Sequence, residues 1–218
     1  GFPEPNVGEN PSSGSVVNYY FKEKPKEAVT LEFLDAEGNS IRKFKSRKKE
    51  EAEPERVPAS RFQRGGPQHV PAEAGMNRFV WNMRYPDAER VPGAILWDGM
   101  LSGPVAVPGV YQVKLTVGEK MMMESWQWKK DPRLLTTQEE YQEQFDFLIK
   151  IRDKITEVNR AINRLRDVKK QIDALSRKVI EHEKGKEVIE AAKMLEQKLS
   201  SAEDVLIQSK SKSRQDPL

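Results

Sequence analysis

The sequence predicts an α+β chain in two parts: an all-β immunoglobulin-like sandwich, then an antiparallel helical hairpin that is coiled-coil-like and part of a helical bundle. Three observations carry this. Gly and Pro punctuate the text as far as "DPR" (131–133), whereas only Gly185 and Pro217 occur beyond it. Before that point, apolar residues alternate with polar ones at the period of a strand; after it, they recur in steps of three and four. The 218 residues are 37% hydrophobic and 33% charged, too polar for one large core and suited to a compact domain plus a solvated helical arm.

Residues 1–15 read as a Pro- and Ser-containing linker. The sandwich is expected over 16–130. "VVNYYF" (16–21) and "VTLEFL" (29–34) have strand composition, and "DAEGNS" is a hairpin signal that makes "IRKF" (41–44) the partner. The stretch 45–75 is charged, Pro-rich and aperiodic, which predicts a mobile insertion. "NRFVWNMRY" sets Phe79, Trp81, Met83 and Tyr85 on one face, with Val80 the exception. "GAILWDG" (93–99) reads as a neighbouring strand and turn. "GVYQVKLTV" places Tyr111, Val113, Leu115 and Val117 inward, and "MMMESWQW" does the same for Trp126 and Trp128. Six or seven short strands without a helix spell a sandwich.

The hairpin is expected over 131–210, with a tail at 211–218. "TTQEE" is a helix start, Thr136 with Glu139 or Thr137 with Glu140 forming a capping box. An apolar seam then runs from Tyr141 to Val179 and resumes from Val188 to Leu206. Gly185 is the natural turn between the two helices. The first helix, about 138–183, would be roughly twice the length of the second, about 187–208, at about 1.5 Å per residue. The second therefore covers the first only down to about Ile162. Phe145, Leu148, Ile151 and Ile155 are left as candidates for an association surface, filled by the sandwich, by a further helix in trans or by a second copy through the helices.

The chemistry-bearing residues are sparse. The two histidines, His69 and His182, have no metal-ligand spacing and read as exposed, so neither a metal nor a cofactor is expected. With 37 Lys and Arg against 34 Asp and Glu, no basic patch for nucleic acid stands out. No apolar run has the length of a membrane span. Cysteine is absent, which removes disulfides and thiolate chemistry. Asp87, Glu89 and Asp98, near Trp97, are the only acids whose aromatic neighbourhood could qualify them for glycoside hydrolysis, and Asp98-Gly99 reads first as a turn. No catalytic residue is assigned and no enzyme is expected in this chain. Tyr85 and Trp97 stand at strand ends or in loops and are the candidates for stacking on a glycan. The opening "GFPEPN" reads as an excised piece of a longer protein.

Several stretches together, "NPSSGSVVNYYFKEKP", "VTLEFLDAEGNSIRKF", "GMNRFVWNMRYPDA", "GPVAVPGVYQVKL" and "KKDPR" followed by "FDFLIKIRDKITEVNRAINRLR", resemble in order the C-terminal region of a family of large bacterial proteins. Their N-terminal part is a BNR/Asp-box, sortilin-like β-propeller often labelled glycosyl hydrolase. The spacing around Trp81 and "PG-x-Y" is also similar to the Ig-like domain of flagellar hook-capping (FlgD-type) proteins. The resemblance implies a secreted or periplasmic multidomain parent whose propeller, preceding this region, carries any hydrolytic activity and is this chain's partner. Where the family often has Trp-Asp, this sequence has Trp81-Asn82, which serves equally if the residue caps a turn. The functional expectation is a non-catalytic accessory and interaction module. The alternatives are a carbohydrate-binding accessory domain of a glycoside hydrolase and a helical oligomerisation stalk.

Overall fold

The computed structural model describes residues 12–47, 68–95, 101–182 and 185–208. It is α+β, with six strands in two antiparallel sheets and two helices among those residues. Strands β1 (Ser15–Phe21) and β4 (Gly75–Trp81) form one sheet. Strands β2 (Val29–Leu34), β3 (Ser40–Lys45), β5 (Gly109–Val117) and β6 (Lys120–Trp128) form the other, in the order β3-β2-β5-β6. Helices α1 (Gln138–Val179) and α2 (Gly185–Leu206) follow. The chain divides into two compact units that do not follow its linear order: 1–86 with 104–145, and 87–103 with 146–218. The expected division at Asp131 differs in that the segment 87–103 belongs with the helices.

The first unit holds both sheets, and their alternating residues meet in an aromatic core. Phe33 of β2 stacks on Trp81 of β4, with ring centroids 4.5 Å apart, and meets Trp126 of β6 edge-on at 6.0 Å. Phe44 and Phe79 approach to 4.8 Å across the sheets. Trp81 is 0% exposed, and such a ring dominates a small core through its area. Val80, the exception in the alternation, is half-buried. After Trp81 the strand turns sharply: Asn82 Oδ1 accepts the Arg84 N–H at 3.2 Å, Met83 adopts φ 58°, and the Trp81 indole N–H donates to the Arg84 carbonyl at 3.1 Å. Asn82 is therefore a turn-capping residue, the role its side chain suits. At the start of β5, the Tyr111 hydroxyl donates back to the Val107 carbonyl.

Three expectations need correction. The insertion 45–75 is not mobile throughout, since Val70 is buried in the core and its N–H donates to the Lys45 carbonyl at 3.1 Å. The Tyr19 hydroxyl also donates to the Pro71 carbonyl at 2.6 Å; residues 48–67 lie outside the described residues. "GAILWDG" is no strand where it is described: Gly93, at φ 73°, lies in a turn in which the Ala94 N–H donates to the Val91 carbonyl. Gly185 does not form the apex of the interhelical turn. It opens α2, and a Cβ there would lie 1.9 Å from the Val179 carbonyl oxygen, so close approach, not a left-handed backbone, demands glycine.

Candidate functional site

The helix start is the Thr137 and Glu140 capping box: the Glu140 N–H donates to Thr137 Oγ1 at 3.2 Å, and the Thr137 N–H to Glu140 Oε2 at 2.7 Å. Acidic Glu139 and Glu140 in the first turn and basic Arg177 and Lys178 in the last complement the helix dipole. Within the first unit, Phe145 packs against Tyr85, with ring centroids 4.8 Å apart. The Tyr85 ring is half-buried, and burial together with the Asp35 and Glu37 charges pushes its phenol up. Trp97 and Asp98 lie outside the described residues.

In the second unit, residues 87–95 clasp the middle of α1. Glu89 is the centre of the clasp. Its backbone N–H donates to Thr156 Oγ1 at 3.3 Å, and its carbonyl accepts from the Asn159 amide at 2.6 Å. Its carboxylate accepts from Arg160 at 2.6 Å and from Asn163 at 3.3 Å. The Arg160 hydrogen bond holds that carboxyl below its usual range. Asn163 also donates to the Arg90 carbonyl at 3.0 Å, and Arg166 to the Pro92 carbonyl at 2.8 Å. Ala88 and Val91 are buried beneath these polar bonds. Asp87 accepts the Gly103 N–H at 3.1 Å. Asp87 and Glu89 thus close and seat a loop, and the structure gives both a positioning role.

Helix α2 is tied to α1 by Glu203, whose carboxylate accepts from Arg166 at 2.7 Å and from Lys169 at 3.2 Å. Burial raises the Glu203 pKa, but the Arg166 and Lys169 contacts outweigh it and leave the group lowered. Arg166 therefore bridges the clasp and α2. One turn before it stands Ile162, the one apolar side chain of either helix to be buried among the described residues. The length mismatch read from the sequence is present: α1 has 42 residues and α2 has 22.

Beyond Ile162 towards the start of α1, the stripe that α2 would have covered continues through Val158, Ile155, Ile151 and Leu148, the heptad steps of one helix face. Val158 and Ile155 are half-buried, but Ile151 is 41%, Leu148 40% and the adjacent Phe147 64% exposed. Further along, the covered positions of α1 include Leu165, Lys169, Ile172, Ser176 and Val179, while Val168 and Leu175, one residue before Lys169 and Ser176, are exposed. In α2, Ile189, Ala192, Leu199, Ser200 and Glu203 are covered, and Val188 and Ala202, each one residue before a covered position, are exposed, as is Leu195. One residue is a rotation of about 100°. Because the helices run antiparallel, that shift turns the exposed seam members Val168, Leu175, Val188 and Ala202 to one side of the hairpin, while Leu165, Ile172, Val179, Ala192 and Leu199 stay covered.

Of the residues singled out from sequence, Phe145, Leu148, Ile151 and Ile155 lie along one helix, with Phe145 engaged by Tyr85 and the next two open. His69 is half-buried, contrary to its expected exposure, and His182 is exposed. Among the described residues, no group of three or more His, Asp or Glu could hold a metal ion, and no helix is long and apolar enough to cross a membrane. Sequence reasoning missed the clasp. Its trace was present in Thr156, Asn159 and Asn163, short polar residues that are poor helix formers, recurring at helical spacing on α1. Comparison with known proteins finds no matching family model, curated protein or solved structure.

Proposed function

We propose that the chain is a non-catalytic interaction module: an immunoglobulin-like sandwich carrying a helical hairpin whose open apolar face takes the helices of a second copy. The observation that carries this is the exposed stripe Phe147, Leu148 and Ile151, which continues the interhelical seam past the end of α2. A contiguous apolar band of this kind in water favours association, and its heptad spacing suits another helix. The immunoglobulin-like reading is supported by the strand order. With β1 and β4 as strands B and E, the second sheet runs C′-C-F-G, and the Tyr111 hydroxyl bond to Val107 has the form of a tyrosine corner. The resemblance to the C-terminal region of exported sortilin-like propeller proteins gives the module its setting, as an accessory domain following a propeller in a secreted or periplasmic protein.

The test is sedimentation velocity over a concentration series on the 218-residue chain and on Leu148→Asp/Ile151→Asp. Both positions are exposed, so the substitutions leave the folded chain intact, as circular dichroism will verify. The wild type is expected to sediment faster with rising concentration and the variant to lose that component. Indistinguishable profiles at every concentration would overturn the proposal.

A further inference from the structure

The second sheet ends on two edges of opposite character. Edge strand β3 carries Arg42, Lys43 and Lys45, like charges that repel a second copy of the same edge. The other edge, β6, opens with Lys-Met-Met-Met-Glu, and Met121, Met122 and Met123 are 62%, 68% and 49% exposed. A long edge with exposed apolar side chains and no guarding Pro or bulge is a template for pairing with another chain.

The register of that pairing can be read from the hairpin. Val117 and Lys120 pair across the two-residue turn Gly118–Glu119, and Gly118, at φ 56°, supplies the left-handed first position of the turn. The pair closing such a hairpin is hydrogen-bonded, and the bonding alternates along the ladder. Lys120, Met122 and Glu124 therefore direct their backbone groups to β5, while Met121, Met123 and Ser125 direct theirs to the open edge. A second β6 laid antiparallel with its two-fold axis at Met122 satisfies those outward groups, because Met121 then meets Met123 of the second copy. The same axis sets Lys120 opposite Glu124 of the second copy, twice, in the non-hydrogen-bonded pairs where side chains come closest. Shifting the register destroys the match: an axis between Met121 and Met122 opposes Glu119 to Glu124, and an axis at Met123 sets Glu124 against Met122.

We infer that β6 is a homodimerisation edge, two copies pairing antiparallel about Met122 with reciprocal Lys120 and Glu124 contacts. This contact is independent of the helical one. Each is a two-fold contact at a different place, so both together would string copies into an open chain. The test therefore uses the Leu148→Asp/Ile151→Asp background, in which failure here is separable from failure of the helical reading.

The chain has no cysteine, so Met122→Cys introduces a single reporter. At a two-fold axis in a non-hydrogen-bonded pair the two Cα atoms lie about 4.5 Å apart, within disulfide range. Mild oxidation is expected to convert Met122→Cys largely to a linked dimer while Ser125→Cys, away from the axis, stays mostly monomeric. Equal linking of the two overturns the inference. Independently, Lys120→Glu and Glu124→Lys are each expected to raise the dimer dissociation constant about tenfold, from two like-charge pairs per dimer. The double exchange is expected to restore it. A double exchange no tighter than the single variants also overturns the inference.

Discussion

The sheets and the helices of this chain solve the burial problem in opposite ways. In the sandwich, Val29, Leu31, Phe33 and Trp81 are all fully buried, and partly buried apolar residues close around them. The two helices together bury Ile162 alone among their described apolar residues. Periodicity is clear in both regions, so the lesson concerns what periodicity reports. An alternating strand belongs to a sheet whose other face is in the same chain. A heptad stripe states only that a helix wants a neighbour, not that the neighbour is present.

The largest effect that would break this contrast is at Trp81. Its truncation to Ala removes the ring that stacks on Phe33 and meets Trp126 at 6.3 Å, a loss of about 3–5 kcal/mol against a typical domain stability of about 5–15 kcal/mol. Thermal melting followed by near-ultraviolet circular dichroism should show a large fall for Trp81→Ala. A small shift would contradict the core placement.

Much of the sandwich was legible because its information is local. Alternation named Phe79, Trp81, Met83 and Tyr111 as inward, and each is buried. The hairpin cue "DAEGNS" located the β2–β3 turn, where the Asp35 side chain accepts the Asn39 N–H at 2.7 Å. What stayed hidden depends on contacts distant in sequence. Val70 looked like part of a charged loop because its neighbours are Pro, Gln and His, yet a single apolar residue anchored by a backbone bond to Lys45 is enough to fix that stretch. The clasp of 87–95 on α1 uses side-chain bonds to main-chain carbonyls, which leave no apolar pattern to read. In the candidate site the apolar residues were identifiable, but which of them are covered was not. Three members of the seam, Val168 and Leu175 on α1 and Val188 on α2, are displaced from a covered position by one residue, and only the folded structure reveals that offset.

A second prediction sharpens the contrast from the helical side. Ile162 stands between the clasp and α2, so Ile162→Ala should cost about 2–5 kcal/mol, confined to the helical unit. Hydrogen exchange should show α2 and the middle of α1 losing protection, while the amides of β2 and β5 keep theirs. Uniform loss across both regions would mean that the two units unfold as one.

The smallest effect concerns the acid sensitivity of the hairpin. Glu203 is buried, and Arg166 and Lys169 hold its pKa below the ordinary glutamate value of 4.5. A carboxyl lowered in the folded state contributes stability that is fully present above its unfolded pKa and is lost as pH falls through the folded one. The attachment of α2 should therefore be constant near neutrality and weaken progressively below about pH 4.5. Glu203→Gln keeps the shape but not the charge, and should cost about 1.5–3 kcal/mol at neutral pH, the range for hydrogen bonds to charged groups. It should also flatten the acid dependence of α2. The sandwich supplies an internal control, because Glu32 of β2 is held low by its hydrogen bonds to Lys114 and Ser40 and remains acid-sensitive in the variant. Exchange rates of α2 amides between neutral and acid pH, corrected for intrinsic exchange, would decide the matter. If α2 in Glu203→Gln loosens with acid as steeply as in the wild type, a group other than Glu203 governs the attachment of the second helix.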